Sequence, residues 1–324
     1  MIEHPASSAE MAFGNRRAQP TYLRLHRDAT LKARSQAARA LLTPCRLCPR
    51  ACGADRLADR VGHCNSGRSA RVASAAAHFG EEAPLVGTGG SGTIFFSACN
   101  LLCSFCQNYD ISHYNAGTEV TPDQLAEMMV VLQQRGCHNI NFVTPTHVVP
   151  QILEALPLAI ERGLQVPLVY NCGGYESVET LRILEDVFDI YMPDFKFWDN
   201  HWADVFCNAP DYRESAKAAL KEMHRQVGDL VISQTACAER GLADRGLLVR
   251  HLVMPNAVAG TREIVGFLAT EVSTQTYLNI MDQYRPCYSA TSDPKISRRI
   301  SRSEYEQALR WAGEAGLRRL DRRF

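Results

Sequence analysis

Gly92-Thr-Ile-Phe-Phe-Ser97 runs, after Ala98, into Cys99-Asn-Leu-Leu-Cys103-Ser-Phe-Cys106-Gln-Asn108. The first six residues are β-branched and aromatic and follow a glycine-rich turn, which reads as a short buried strand. The three cysteines, spaced C-x3-C-x2-C, then lie on the loop that leaves its C-terminal end. Three thiolates on one loop suit three irons of a 4Fe-4S cubane, whose irons are held by cysteine sulfur. No fourth ligand stands nearby, so one iron stays open for a substrate or cofactor. Buried cysteines, or a zinc ion completed by a distant residue, are the alternatives.

Outward from this stretch the chain alternates. Thr121-Pro-Asp-Gln124 is a capping box with proline at the first helical position, and Gly136 ends that helix. Strand patterns follow at Asn139–Val143, Val166–Tyr170, Phe188–Met192, Leu247–Val253 and Thr276–Met281. Helix patterns lie between them at Val149–Glu161, Ser177–Glu185, Tyr212–Val227 and Thr261–Thr270, and Ser303-Glu-Tyr-Glu306 reads as the capping box of the last helix. Six strands each followed by a helix imply an α/β fold with a parallel sheet and right-handed crossovers. Pattern alone leaves a doubly wound sheet open.

A second cysteine group precedes this unit. Cys45, Cys48, Cys52 and Cys64 stand in C-x2-C-x3-C-x11-C spacing, with Pro49, Gly53 and Gly62 suited to tight turns. Four thiols can close a metal site with no open position, either Fe–S or zinc. Residues 1–40 read as a polar arm with a helical pattern near Tyr22–Leu42. The expected division is residues 1–70 as arm and cysteine-rich extension, and 71–324 as the α/β unit.

Composition narrows the function. Net charge is zero, which gives no electrostatic footprint for nucleic acid. No apolar run approaches the roughly 20 residues of a membrane span, and the first residues lack a signal pattern. Twelve cysteines in a long chain with metal-type spacing fit a reducing cytoplasm better than a disulfide scaffold.

The segment Gly92–His113, with Phe105 before the last cysteine, resembles the signature of the radical S-adenosylmethionine (SAM) superfamily. It looks like the branch that contains homologues of pyruvate formate-lyase activating enzyme, and the likeness continues to about residue 317. The resemblance implies an open partial (β/α)6 barrel, a 4Fe-4S cluster on Cys99, Cys103 and Cys106, and SAM as cofactor. It also implies reductive cleavage to a 5′-deoxyadenosyl radical that takes hydrogen from substrate, with an electron donor such as flavodoxin or ferredoxin.

Chemistry in parallel barrels gathers at strand C-termini. Those ends supply Asn108, Thr144 and Thr146, Asn171 and Gly173, Asp194 and Lys196, and His251 as candidate SAM contacts. By resemblance, Thr144-Pro-Thr146 stands where relatives hold the methionyl amino group, Asp194-Phe-Lys196 matches an Asp-x-Lys element near SAM, and His251 packs on the SAM side. Two outcomes are expected for the radical. One is hydrogen abstraction from a glycine of a protein or peptide. The other is a small-molecule reaction, such as carbohydrate epimerisation, with a thiol returning hydrogen. Among the cysteines outside both metal motifs, Cys207, read as lying in the loop after Lys196, is the first choice for that thiol. A non-enzymatic electron carrier or zinc module built on Cys45–Cys64 is the third expectation.

Overall fold

A computed structural model describes residues 18–321. Residues 1–17, part of the expected arm, lie outside the described residues. Helices α1 (Tyr22–Arg27) and α2 (Thr30–Ala40) lead in, and the four N-terminal cysteines follow. Strand β1 (Ala70–His78), helix α3 (Ala83–Val86) and β2 (Ser91–Phe96) come next, then α4 (Tyr109–Ser112) and β3 (Thr118–Val120). The repeating part runs α5 (Pro122–Gln134), β4 (Ile140–Val143), α6 (Val149–Glu161), β5 (Leu168–Cys172), α7 (Val178–Ile183) and β6 (Ile190–Pro193). It ends with α8 (Asn200–Cys207), α9 (Tyr212–Val227), β7 (Val231–Thr235), β8 (Ala238–Leu252), α10 (Thr261–Phe267), β9 (Tyr277–Met281) and α11 (Arg302–Glu314).

Strands β2, β4, β5, β6, β8 and β9 pair in that order, all parallel. These are the six strands read from the sequence. No pairing joins β9 back to β2 among the described residues, so the sheet is open. Antiparallel strands extend it: β1 pairs β2 at one edge and β3 pairs β1, while β7 pairs the N-terminal half of β8. Sequence reading missed these additions, because β1 is alanine-rich and β8 starts nine residues earlier than its apolar run.

Side chains alternate across the sheet, as the strand period of two requires. Phe142, Tyr170, Phe188 and Tyr191 form an edge-to-face and tilted aromatic cluster in the large core that includes the helices. Val169, Ile190, Met192 and Leu248 occupy a separate core with Leu85 of α3 and Leu230. The capping box Thr121–Gln124 forms as read. The last one does not: Ser301, in extended backbone, accepts from Glu304 N–H, and Ser303 lies inside the helix. Both frames satisfy S-x-x-E, so the local pattern could not choose. Tyr22 and Leu25 of α1 are buried in the main core, and the Tyr22 hydroxyl donates to Val166 O at 2.9 Å.

Candidate functional site

The second core defines the site by counting two residues along each strand. Beyond Val169, Met192 and Leu248, on the same face, stand Asn171, Asp194 and Arg250 at the C-terminal ends of the strands. All three line one cavity with Thr144, Lys196, Gly173, Asn108 and the cysteines Cys99, Cys103 and Cys106. The apolar layer thus gives way to a polar one where the strands end. Gly174 permits the approach of β5 to β6: its φ is +78°, and a Cβ there would sit 2.2 Å from Asp194 O.

Asp194 organises the polar layer. Its Oδ1 accepts from Arg250 Nε at 2.7 Å and its Oδ2 from Lys196 Nζ at 2.6 Å. Arg250 Nη2 also donates to Asn171 Oδ1 at 2.7 Å. Burial alone would raise the Asp194 carboxyl, but Arg250 and Lys196 hold it below the usual value. Burial works against the Lys196 ammonium, and Asp194 more than offsets it, keeping it well above its usual value. Both partners therefore stay charged across ordinary pH.

The cysteine loop carries two non-glycine residues in the left-handed region, Ala98 (φ 73°) and Leu102 (φ 50°), on either side of Cys99. Donors point at the sulfurs. Leu101 N–H approaches Cys99 Sγ at 3.4 Å, and the Ser112 hydroxyl reaches Cys106 Sγ at 3.2 Å. Burial pushes the Cys99 thiol up to about 12, with the Cys103 sulfur adding to it, and burial raises Cys106 as well. For Cys103 the Cys207 contact is the largest cause, ahead of burial. Buried thiols of this kind ionise when a bound cation supplies the opposing charge. Among the described residues no three His, Cys, Asp or Glu side chains converge on a single-ion position. A cubane does not need that convergence, since each thiolate holds its own iron. The donor set, sulfur-directed hydrogen bonds and adjoining Asp–Lys–Arg layer therefore fit a cluster with a polar ligand beside it. The cavity measures about 160 Å³, below the roughly 300–1,000 Å³ of small-molecule sites.

Three expected contacts fall outside the lining. His251 is fully buried, with Nδ1 bonded to Phe195 O at 2.7 Å and Nε2 to Thr261 Oγ1 at 2.8 Å. Strand alternation puts Arg250 toward the cavity and His251 toward α10, and burial lowers the imidazole to about 4. Thr146 is also buried and donates to Glu176 Oε1 at 2.6 Å. Cys207 lies on α8 rather than in a loop, fully buried, with its sulfur 3.2 Å from Cys103 Sγ. Conversely, Arg250 and Cys172 line the cavity. The signal for Arg250 was present: it is two residues from Leu248 on an alternating strand.

The N-terminal cysteines dock onto this loop. Cys45 and Cys64 are buried, Cys48 half-buried and Cys52 exposed. Cys45 and Cys52 hydrogen-bond each other, and burial pushes Cys48 up to about 12, with the Cys64 and Cys45 sulfurs adding to it. Arg50, between Cys48 and Cys52, donates to Asn100 O at 2.9 Å, to Cys207 O at 2.8 Å and to Asn208 O.

An open, mostly parallel sheet with a three-cysteine loop and a charged layer at its strand ends defines an α/β protein whose residues fit a metal cluster beside a polar ligand. The family described as the radical SAM superfamily matches residues 93–235, from β2 through β7. A Methanocaldococcus jannaschii protein, described as uncharacterized protein MJ0674, is 31% identical over 296 residues, which is 89% of this chain and 79% of that protein. The chain belongs to the radical SAM superfamily. Among the described residues, no helix is long and apolar enough to cross a membrane.

Proposed function

We propose that this radical SAM enzyme abstracts hydrogen from a glycine of a protein or peptide, as activating enzymes do. A bound 4Fe-4S cluster and SAM supply one-electron reduction that ends in hydrogen-atom abstraction. Cys99, Cys103 and Cys106 hold the cluster. Asn171, Asp194, Lys196 and Arg250 orient the polar ligand, and the apolar layer beneath them keeps water out. The observation that carries the cluster and SAM part of the reading is that the three thiols and the Asp194–Lys196–Arg250 network line one cavity; the glycine target rests on the resemblance to activating enzymes. The test has two parts. Anaerobically loaded Cys103→Ala protein loses both its cluster iron and dithionite-dependent SAM cleavage; persistence of cleavage sinks the cluster assignment. Loaded wild-type protein, given glycine-containing candidate polypeptides, generates a carbon-centred radical signal that a Gly→Ala change in the polypeptide removes.

A small-molecule reaction such as epimerisation draws on one observation, that Cys172 lines the cavity and its thiol hydrogen-bonds Glu176. Solvent deuterium in a carbon position of the product, lost in Cys172→Ala, would favour it. The four N-terminal cysteines are proposed as a second, closed Fe–S centre. Support comes from Arg56, a fully buried guanidinium bonded to the carbonyls of Gly67 and His147 and, among the described residues, paired with no carboxylate. Its nearby acidic group is Cys45, to which it hydrogen-bonds. A cluster of thiolates would supply the missing counter-charge.

A further inference from the structure

Cys207 and Cys103 are 104 residues apart in sequence, yet their sulfurs approach to 3.2 Å. The approach is built by the backbone. Ser104 N–H donates to Phe206 O at 2.8 Å, and Arg50 Nη2 donates to Cys207 O at 2.8 Å. Asn208, in the left-handed conformation (φ 49°), ends α8 there. The last turn of α8 is thus clamped to the cysteine loop from both sides. Cys207 is fully buried and absent from the cavity lining. Once Cys103 is a thiolate ligand it has no proton to give, and only Cys207 S–H can donate across this contact.

We infer that Cys207 is a positioning residue for the cluster: its thiol hydrogen-bonds the Cys103 sulfur and raises the cluster's reduction potential. Hydrogen bonds to cluster sulfurs are one of the protein's levers on potential. Reduction adds negative charge, part of which resides on the sulfurs, so a donor aimed at one of them favours the reduced state. Easier reduction is useful where chemistry begins with one electron delivered from outside. This inference rests on the cluster reading of Cys99, Cys103 and Cys106.

The experiment is a redox titration of the loaded, full-length protein followed by electron paramagnetic resonance, with iron and sulfide quantified in parallel. Cys207→Ala and Cys207→Val remove the donor; Cys207→Ser keeps it as a hydroxyl. In the apolar variants, the equilibrium constant for reduction falls about tenfold, a midpoint about 59 mV more negative for a one-electron couple. The serine variant stays close to wild type. Full iron with an unchanged midpoint in either apolar variant overturns the tuning role and leaves the cluster reading intact. A wild-type protein that binds no iron on reconstitution overturns the cluster reading instead. Should both apolar variants lose iron, a serine variant with full iron and the wild-type midpoint supports the donor. Loss of iron from all three variants, with the fold retained by circular dichroism, overturns it in favour of a packing role.

Discussion

Glu176→Gln tests the electrostatics behind the site. Glu176 is 2% exposed. It accepts from Thr146 Oγ1 at 2.6 Å and from Tyr170 OH at 2.9 Å, and among the described residues it pairs with no cation. Burial lifts its carboxyl from 4.5 to about 7, and the Thr146, Tyr170 and Cys172 donors only partly oppose this. The folded value lies above the unfolded one. Its stabilising contribution is therefore fully present below about 4.5 and is lost as pH rises through about 7. At 1.36 kcal/mol per pH unit, the loss between about pH 5 and pH 8 amounts to about 2–3 kcal/mol. Glutamine keeps the shape and one acceptor but cannot ionise, so it escapes that loss. The stability difference, variant minus wild type, should rise by this amount from pH 5 to pH 8, whatever its offset at pH 5. Urea unfolding of the metal-free proteins, followed by tryptophan fluorescence under anaerobic reducing conditions, measures it. A difference that does not change with pH refutes the reasoning.

Other perturbations address the charged layer and the N-terminal cysteines. Asp194→Asn leaves Arg250 and Lys196 facing each other without their shared anion. It should cost about 3 kcal/mol, the low end for a broken buried pair because solvent still reaches these side chains; a urea midpoint equivalent to less than 1 kcal/mol would contradict the ion network. The cost should shrink in acid, since the lowered Asp194 carboxyl gives up its stabilisation only as pH falls below the ordinary aspartate value. A combined Cys48→Ser and Cys64→Ser protein should fall from about eight irons per chain to about four. Wild-type protein that takes up no more than four would remove the second centre.

Part of this molecule is visible in the linear chain. The Cys99–Cys106 loop is legible because ligands of one cluster on one loop are fixed by spacing. The six parallel strands and the Thr121 cap are legible because periodicity and capping are local. Reading failed where two local frames were equally good, as at Ser301 and Ser303, and where a strand lacks an apolar pattern, as in β1. At Arg250 and His251, resemblance favoured the histidine, whereas alternation from Leu248 pointed to the arginine, and it is Arg250 that lines the cavity.

The sequence alone determined the cysteine loop, the order of strands and helices, and the polar residues at strand ends, since each follows from neighbours within a few residues. Tertiary structure decided which of those polar groups share a cavity. It turned His251 and Thr146 away and brought Arg250 to Asp194. It also set Cys207 against Cys103, because the clamp that joins α8 to the loop uses backbone groups distant in sequence, which carry no mark of their partners.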